Sequence, residues 1–275
     1  MELEQTRVLE NSEIAPGIFM MALEAPKIAP EARAGQFVMV YLSTGELLLP
    51  RPISICNTRR TLDWVREPDE TKYIVELVYQ VVGKGTKVMS EIRPGKTVTL
   101  LGPLGKGFYT KPKVGSPCPD QARTPLGKVA LVGGGIGTPP LLLLARTLKA
   151  QGATVDVYLG FRQYPILVGM FESVADSVRI STEQGLTGHR GNILEVIQAH
   201  HTQYDEILTC GPLPMLKAVA AYAASHNIPC QMSVEERMAC GLGTCVGCAL
   251  KVNGTNLRIC TEGPVFYSDE VNSHE

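Results

Sequence analysis

From Met1 to about residue 105 the apolar residues come in short β-prone runs set off by turn signals. Gly35-Gln36 precedes Phe37-Val38-Met39-Val40-Tyr41-Leu42, Thr44-Gly45 follows it, and Arg93-Pro94-Gly95-Lys96 precedes Thr97-Val98-Thr99-Leu100-Leu101. Closely spaced strands with little helical periodicity predict an antiparallel barrel or sandwich over residues 1–110. Residues 59–72, charged and polar around Trp64, read as an exposed, solvated hairpin excursion between two strands. Residues 111–127 contain Pro112, Pro117, Pro119, Pro125, Gly115 and Gly127, a density of breakers that marks a linker. Over 128–228 the pattern changes to near-continuous apolar strands alternating with helix-length segments. Strands are expected at Lys128–Val132, Thr154–Leu159, Val178–Thr182 and Glu206–Cys210, and helices at Pro139–Gln151, Asn192–His201 and Met215–His226. That alternation predicts a parallel sheet in an α/β domain. Residues 229–275 are rich in glycine and cysteine, lack a long periodic segment, and are expected to form a small carboxy-terminal module. The fold class is therefore multi-domain: antiparallel β-barrel, linker, α/β parallel-sheet domain, small module.

The composition agrees. In 275 residues, 44% are hydrophobic and 19% charged, enough apolar material for packed cores and too little charge for a disordered chain. A formal net charge of −1 gives no electrostatic reason to expect nucleic acid or an anionic membrane as partner. The start, Met1-Glu2-Leu3-Glu4, is acidic where a signal peptide needs positive charge and then an apolar stretch, and runs such as Leu141–Ala145 are far below the roughly 20 residues needed to span a bilayer. The expected location is cytoplasmic and reducing, where eight cysteines point to metal or redox chemistry before disulfides.

The strongest motif is Cys240-Gly241-Leu242-Gly243-Thr244-Cys245-Val246-Gly247-Cys248, followed by Cys260. Thiolates separated by four, then two, then several residues match the plant-type [2Fe–2S] arrangement, with Cys240, Cys245, Cys248 and Cys260 as ligands. Gly241, Gly243 and Gly247 allow positive φ and leave room for N–H groups to approach sulfur. A four-cysteine zinc site or unliganded thiols are the alternatives, and zinc prefers two separated pairs.

A second motif, Gly133-Gly134-Gly135-Ile136-Gly137 before Thr138-Pro139-Pro140, joins a strand to a helix. It suits a pyrophosphate at a helix N-terminus, or a tight turn that binds nothing. No acidic residue closes the strand ending at Gly160, where Phe161-Arg162 stands, so the choice between NAD and NADP is open. A third group lies in the first domain: Arg51-Pro52-Ile53-Ser54, Val78-Tyr79-Gln80 and Gly83-Lys84-Gly85-Thr86. The arginine and the glycine turn offer donors to phosphates and the serine reaches a flavin edge; an ordinary strand edge and turn are the bland alternative.

In order along the chain these pieces resemble the ferredoxin–NADP reductase superfamily, in which an Arg-x-x-Ser strand binds flavin and a second domain binds nicotinamide. Cys210-Gly211-Pro212 matches that superfamily's Cys-Gly-Pro segment. It implies that Cys210 lies near the nicotinamide; a buried small residue is the other reading. Within the superfamily, Arg51–Ile55, Gly83–Thr86, Glu235–Cys248 and Cys260–Phe266 resemble the PyrK family, electron-transfer subunits of class 1B dihydroorotate dehydrogenase. The segments 59–72, 111–127 and Thr138-Pro139-Pro140 depart from that pattern.

The resemblance implies FAD held by Arg51, Pro52, Ile53, Ser54, Val78, Tyr79, Gln80, Gly85 and Thr86, and NAD at Gly133, Gly134, Gly135 and Gly137 with Cys210. It implies an FMN-containing dihydroorotate dehydrogenase catalytic subunit as partner, in a heterotetramer with two of each, and no dihydroorotate site on this chain. The barrel then becomes an FAD domain over 1–110, residues 128–228 an NAD domain and residues 229–275 the [2Fe–2S] module, together serving pyrimidine biosynthesis. A diaphorase subunit of another NAD(P)-linked complex, of sulfhydrogenase or transhydrogenase type, and a non-enzymatic zinc-binding module remain as rivals.

Overall fold

The structure, a computed structural model, describes residues 1–42, 48–63, 67–111, 126–200 and 202–271. The expected linker at 111–127 lies almost wholly outside the described residues. Two compact units divide the chain: Met1–Lys106 with Glu235–Leu250 and Leu257–Pro264, and Gly107–Val234 with Lys251–Asn256 and Val265–Glu275.

In the first unit, β1 (Glu2–Ala15), β2 (Ile18–Glu24), β3 (Phe37–Tyr41), β4 (Arg51–Asp63), β5 (Glu67–Gln80), helix α1 (Lys84–Ser90) and β6 (Thr97–Leu104) follow in order. The strands close into an antiparallel barrel in the order β1-β2-β5-β4-β3-β6, which leaves no open edge. Its interior is filled by Met21, Leu23, Val38, Val40, Ile55, Leu77 and Leu100, all fully buried, while Met39 alternates to the outer face. In the charged excursion at 59–72, β4 and β5 stay paired through Thr61↔Lys72 and Leu62↔Thr71, while its centre at 64–66 lies outside the described residues. Backbone pairing there needs no apolar period, which is why the sequence pattern read as loop.

The second unit follows with β7 (Lys128–Gly134), α2 (Pro140–Ala150), β8 (Thr154–Phe161), α3 (Val168–Glu172), β9 (Ser177–Thr182), β10 (His189–Arg190), α4 (Ile193–His200), β11 (Glu206–Cys210), α5 (Leu213–Ser225) and β12 (Cys230–Ser233). After these come β13 (Ala249–Val252), β14 (Thr255–Arg258), α6 (Ile259–Glu262) and β15 (Val265–Tyr267). The sheet order is β10-β9-β8-β7-β11-β12-β15, parallel except for β15, which pairs antiparallel with β12 through Met232↔Phe266. The central strands β7 and β8 are buried along nearly their whole length, the signature of a sheet covered on both faces.

Within the expected carboxy-terminal module over 229–275, Glu235–Leu250 and Leu257–Pro264 cluster with the first unit and Lys251–Asn256 and Val265–Glu275 with the second. After Val234 no run is long enough to build a separate core, so Cys230–Ser233 and Val265–Tyr267 join the sheet while the cysteine loop packs on the barrel.

Asn11 on β1 fixes helix α1 to the barrel. Its Nδ2 donates to the carbonyls of Met89 (2.8 Å) and Ile92 (2.9 Å), and its Oδ1 accepts from the Tyr79 hydroxyl at 2.9 Å. Tyr79 is only 2% exposed, so Asn11→Ala would strand that hydroxyl in the core. The expected loss is about 2–3 kcal/mol, read as a lower denaturation midpoint with an unchanged m-value.

Candidate functional site

The four motif cysteines fall into two pairs. Leu242 N–H donates to Cys240 Sγ at 3.3 Å, and Cys260 N–H to Cys248 Sγ at 3.5 Å. Cys240 interacts chiefly with Cys245 and Cys260 chiefly with Cys248, with a weaker charge interaction between Cys260 and Cys240. Among the described residues no three such side chains converge as they would around a single ion. Two thiolates for each of two irons is the donor set of a [2Fe–2S] centre. The thiol of Cys240 is pulled well below its usual range by the Thr244 hydroxyl and the N–H groups of Cys245 and Leu242. That of Cys260 is pushed up by burial and by facing Cys248. A buried pair of thiolates is costly unless cationic metal lies between them, so these residues fit the group. None of the seven described cysteines is in a disulfide.

The loop needs unusual backbone. Gly241 has φ +71°, Gly243 φ +80°, and Val246, a β-branched residue, φ +56°. Val246 in this region is strained, by roughly 1–3 kcal/mol. The loop is held by contact with the barrel: a Cβ on Gly241 would lie 2.6 Å from Met39 Cγ and 3.2 Å from Leu104 Cδ1. The segment just after Cys260 is held at the same strands. Lys106 N–H donates to the Gly263 carbonyl at 2.6 Å, and Gly105 (φ +75°) has room only for hydrogen against that carbonyl and Pro264. Cys248 and Cys260 are buried, whereas Cys245 is exposed beside Leu242 (42%) and Val246 (58%).

Met39 pairs with Pro52 on β4, which places the cluster loop beside the Arg51–Ser54 strand. Arg51, Pro52, Ile53 and Ser54 are all half-buried. The Arg51 guanidinium lies directly over Gly85, where any Cβ would collide with it, and also reaches the Leu49 carbonyl. Arg51 and the Gly83–Thr86 turn therefore come together as one cationic, N–H-bearing cradle. Thr86 Oγ1 is already engaged within the turn, accepting from Val82 N–H (2.9 Å) and Gly83 N–H (3.2 Å). Val78 and Tyr79 are buried and Gln80 is exposed. Tyr79 faces the barrel interior, where burial pushes its hydroxyl up to about 12, so only its backbone is offered outward.

In the second unit the chain runs outward from β7 to β10 and then returns to β11 on the other side of β7. The switch point between β7 and β11 is where open α/β sheets bind ligands, and Gly133↔Cys210 are paired there. Most of the glycines are required by packing. A Cβ on Gly134 would lie 2.6 Å from Met215 Sδ, on Gly137 2.5 Å from Gly211 Cα, and on Gly133 3.0 Å from Thr138 Oγ1. Only Gly135, at φ +52°, faces open space. The Thr138 hydroxyl is wholly buried and has no hydrogen-bond partner among the described residues. Cys210 is buried behind the glycine loop.

Residues 235–272 match the model of a family described as the iron–sulfur cluster binding domain of dihydroorotate dehydrogenase B. The chain is 37% identical, across 97% of both sequences, to the dihydroorotate dehydrogenase B (NAD(+)) electron transfer subunit of Caldanaerobacter subterraneus subsp. tengcongensis. It is 38% identical, across 96% of both, to that of Desulforamulus reducens. The chain belongs to this family of electron transfer subunits. Among solved structures, a chain of an NADH-dependent reduced ferredoxin–NADP oxidoreductase matches with TM-score 0.81 at 27% identity, covering 97% of this chain and 89% of that one. A ferredoxin NADP+ reductase from Neisseria gonorrhoeae, at 17% identity and TM-score 0.60 over 82% of this chain and 92% of that one, shares the fold.

Membership gives a meaning to residues that the sequence motifs did not include. Asn11 holds the Tyr79 hydroxyl, Met39 seats Gly241, Met215 packs against Gly134, and the Thr244 hydroxyl reaches Cys240. Only Thr244, inside the cysteine loop, carried a local signal.

Gly137→Ala tests the packing of the second unit, since its Cβ meets backbone that cannot turn aside. The expected cost is about 1–3 kcal/mol, with Gly135→Ala paying only for its positive φ, about 1 kcal/mol. Denaturant titrations of the two variants should rank them in that order.

Proposed function

We infer that the chain is the electron-transfer subunit of a dihydroorotate dehydrogenase B, carrying electrons from a catalytic subunit through a [2Fe–2S] cluster and FAD to NAD+. One observation carries the reading: four cysteines paired two and two, in a loop seated against the strand next to Arg51–Ser54, in a chain alike over its whole length to electron transfer subunits of that enzyme. Cys240, Cys245, Cys248 and Cys260 hold the cluster. Arg51 with the Gly83–Thr86 turn holds the FAD phosphates, and Pro52, Ile53, Ser54 and the backbone of Val78, Tyr79 and Gln80 face the rest of the flavin. NAD+ lies at Gly133, Gly134, Gly135 and Gly137, with Gly135 offering the open face, and Cys210 backs the nicotinamide end.

When bound, the cluster passes one electron at a time and the flavin exchanges one or two, which matches a one-electron relay to two-electron nicotinamide chemistry. The protein's own residues supply position and charge. Arg51 neutralises phosphate, the loop N–H groups donate to sulfur, and the barrel keeps Cys248 and Cys260 dry. No residue of this chain acts as base on a pyrimidine. The partner is a catalytic subunit containing FMN, in a cytoplasmic assembly of two of each. It docks over exposed Cys245 and its exposed neighbours Leu242 and Val246.

The likeness to an NADH-dependent ferredoxin–NADP oxidoreductase favours, as a second reading, a subunit of a transhydrogenase-type complex. Copurification separates the two. The first reading expects a flavin dehydrogenase that oxidises dihydroorotate with NAD+, the second a partner that does not.

The purified chain alone should contain iron, sulfide and FAD, reduce an artificial acceptor with NADH, and fail to oxidise dihydroorotate. A colourless zinc protein, or dihydroorotate oxidation without a partner, would overturn the reading. In the assembled enzyme Leu242→Asp should lower dihydroorotate-to-NAD+ turnover about tenfold at limiting subunit concentration, an interface loss of about 1.4 kcal/mol. NADH reduction of the artificial acceptor should stay at the parent level.

A further inference from the structure

Next to the cluster loop stands a pair of opposite charges that none of the four ligands explains. Arg258 ends β14, and its guanidinium Nη1 donates to the Gly243 carbonyl, inside the cysteine loop, at 3.4 Å. Its Nε and Nη2 donate to the two Glu262 carboxylate oxygens at 3.4 Å, and its backbone N–H donates to Glu262 Oε2 at 2.6 Å. Gly243 N–H in turn donates to Cys260, and Ile259 N–H to the Cys248 carbonyl at 3.0 Å. The guanidinium thus sits between the loop carrying the first three cysteines and the turn carrying the fourth, within electrostatic reach of Cys248 and Cys260. Lys106 lies within electrostatic reach of Glu262. The side chains are 44% and 30% exposed, so ordinary structural worth as a surface ion pair is small.

We propose that Arg258 and Glu262 are a charge pair that sets the reduction potential of the cluster on Cys240, Cys245, Cys248 and Cys260, the guanidinium favouring the added electron and the carboxylate opposing it. The proposal rests on the cluster assignment made above. Reduction places one more negative charge on the centre without making or breaking a bond to either residue. An arginine that is charged at every accessible pH therefore stabilises the reduced form, and a neighbouring carboxylate tempers it. Both residues are positioning residues, acting on the cluster through space and through the Gly243 carbonyl.

A merely mechanical clamp makes a different prediction, because Arg258→Gln and Glu262→Gln break the same bridge and would move the potential the same way. The test is a potentiometric titration of the full-length protein, with dithionite as reductant and the reduced cluster followed by electron paramagnetic resonance. At the parent's midpoint, Arg258→Gln should lower the reduced-to-oxidised ratio about threefold and Glu262→Gln should raise it by a similar factor, roughly 30 mV in opposite directions for a one-electron couple. Arg258→Lys, which keeps the charge but not the fork, should stay near the parent. All the shifts should shrink at high salt, as expected for partly exposed charges. Shifts of the same sign, or no shift in iron-loaded protein, overturn the proposal. If Arg258→Gln fails to load iron, Glu262→Gln and Arg258→Lys carry the same test. A parent protein without iron overturns the cluster assignment and this proposal together.

Discussion

The contact between the cysteine loop and the barrel is the constraint on which the electron path depends. At Gly241 the loop backbone touches Met39 and Leu104 with no room for a Cβ, and at Gly105 the segment following Cys260 is tied down against the same strands. Met39 neighbours Pro52 across β3 and β4, so this seat fixes the cysteine loop beside the strand that begins with Arg51. A single-electron carrier is useful only near its redox partner. The protein secures that nearness with two close backbone approaches, at Gly241 in the loop and at Gly105 just after β6.

The glycine loop of the second unit shows the same use of close approach. Gly133, Gly134 and Gly137 are occupied from behind by Thr138, Met215 and Gly211, so their lack of side chains first serves to bring β7 and β11 together at the switch point. Gly135 alone leaves an open face for a ligand. A glycine motif read as phosphate binding is thus, at three of its four glycines, a packing motif.

Features carried by local spacing were legible in the amino-acid sequence. The cysteine ladder is one loop plus one return, and the apolar runs of β7, β8 and β11 announce a buried parallel sheet without help from distant residues. What was not legible depends on pairing across long separations. The charged hairpin extending β4 and β5 has no apolar period, and β12 and β15 are too short to declare themselves before they meet. Nor does sequence adjacency show that the Tyr79 side chain bonds Asn11, 68 positions away. Asn11, Met39 and Arg258 carry no motif, and only the fold brings them to the site.

The most direct test of the relay is to add NADH anaerobically to the purified chain, without a partner, and to record flavin absorbance and electron paramagnetic resonance together. If cluster and flavin are held in the same chain as described, NADH bleaches the flavin and gives the signal of one reduced [2Fe–2S] centre per chain, lost when Cys260 is replaced by alanine. Flavin bleaching with no such signal, in protein whose cluster dithionite does reduce, would contradict an electron path between the two.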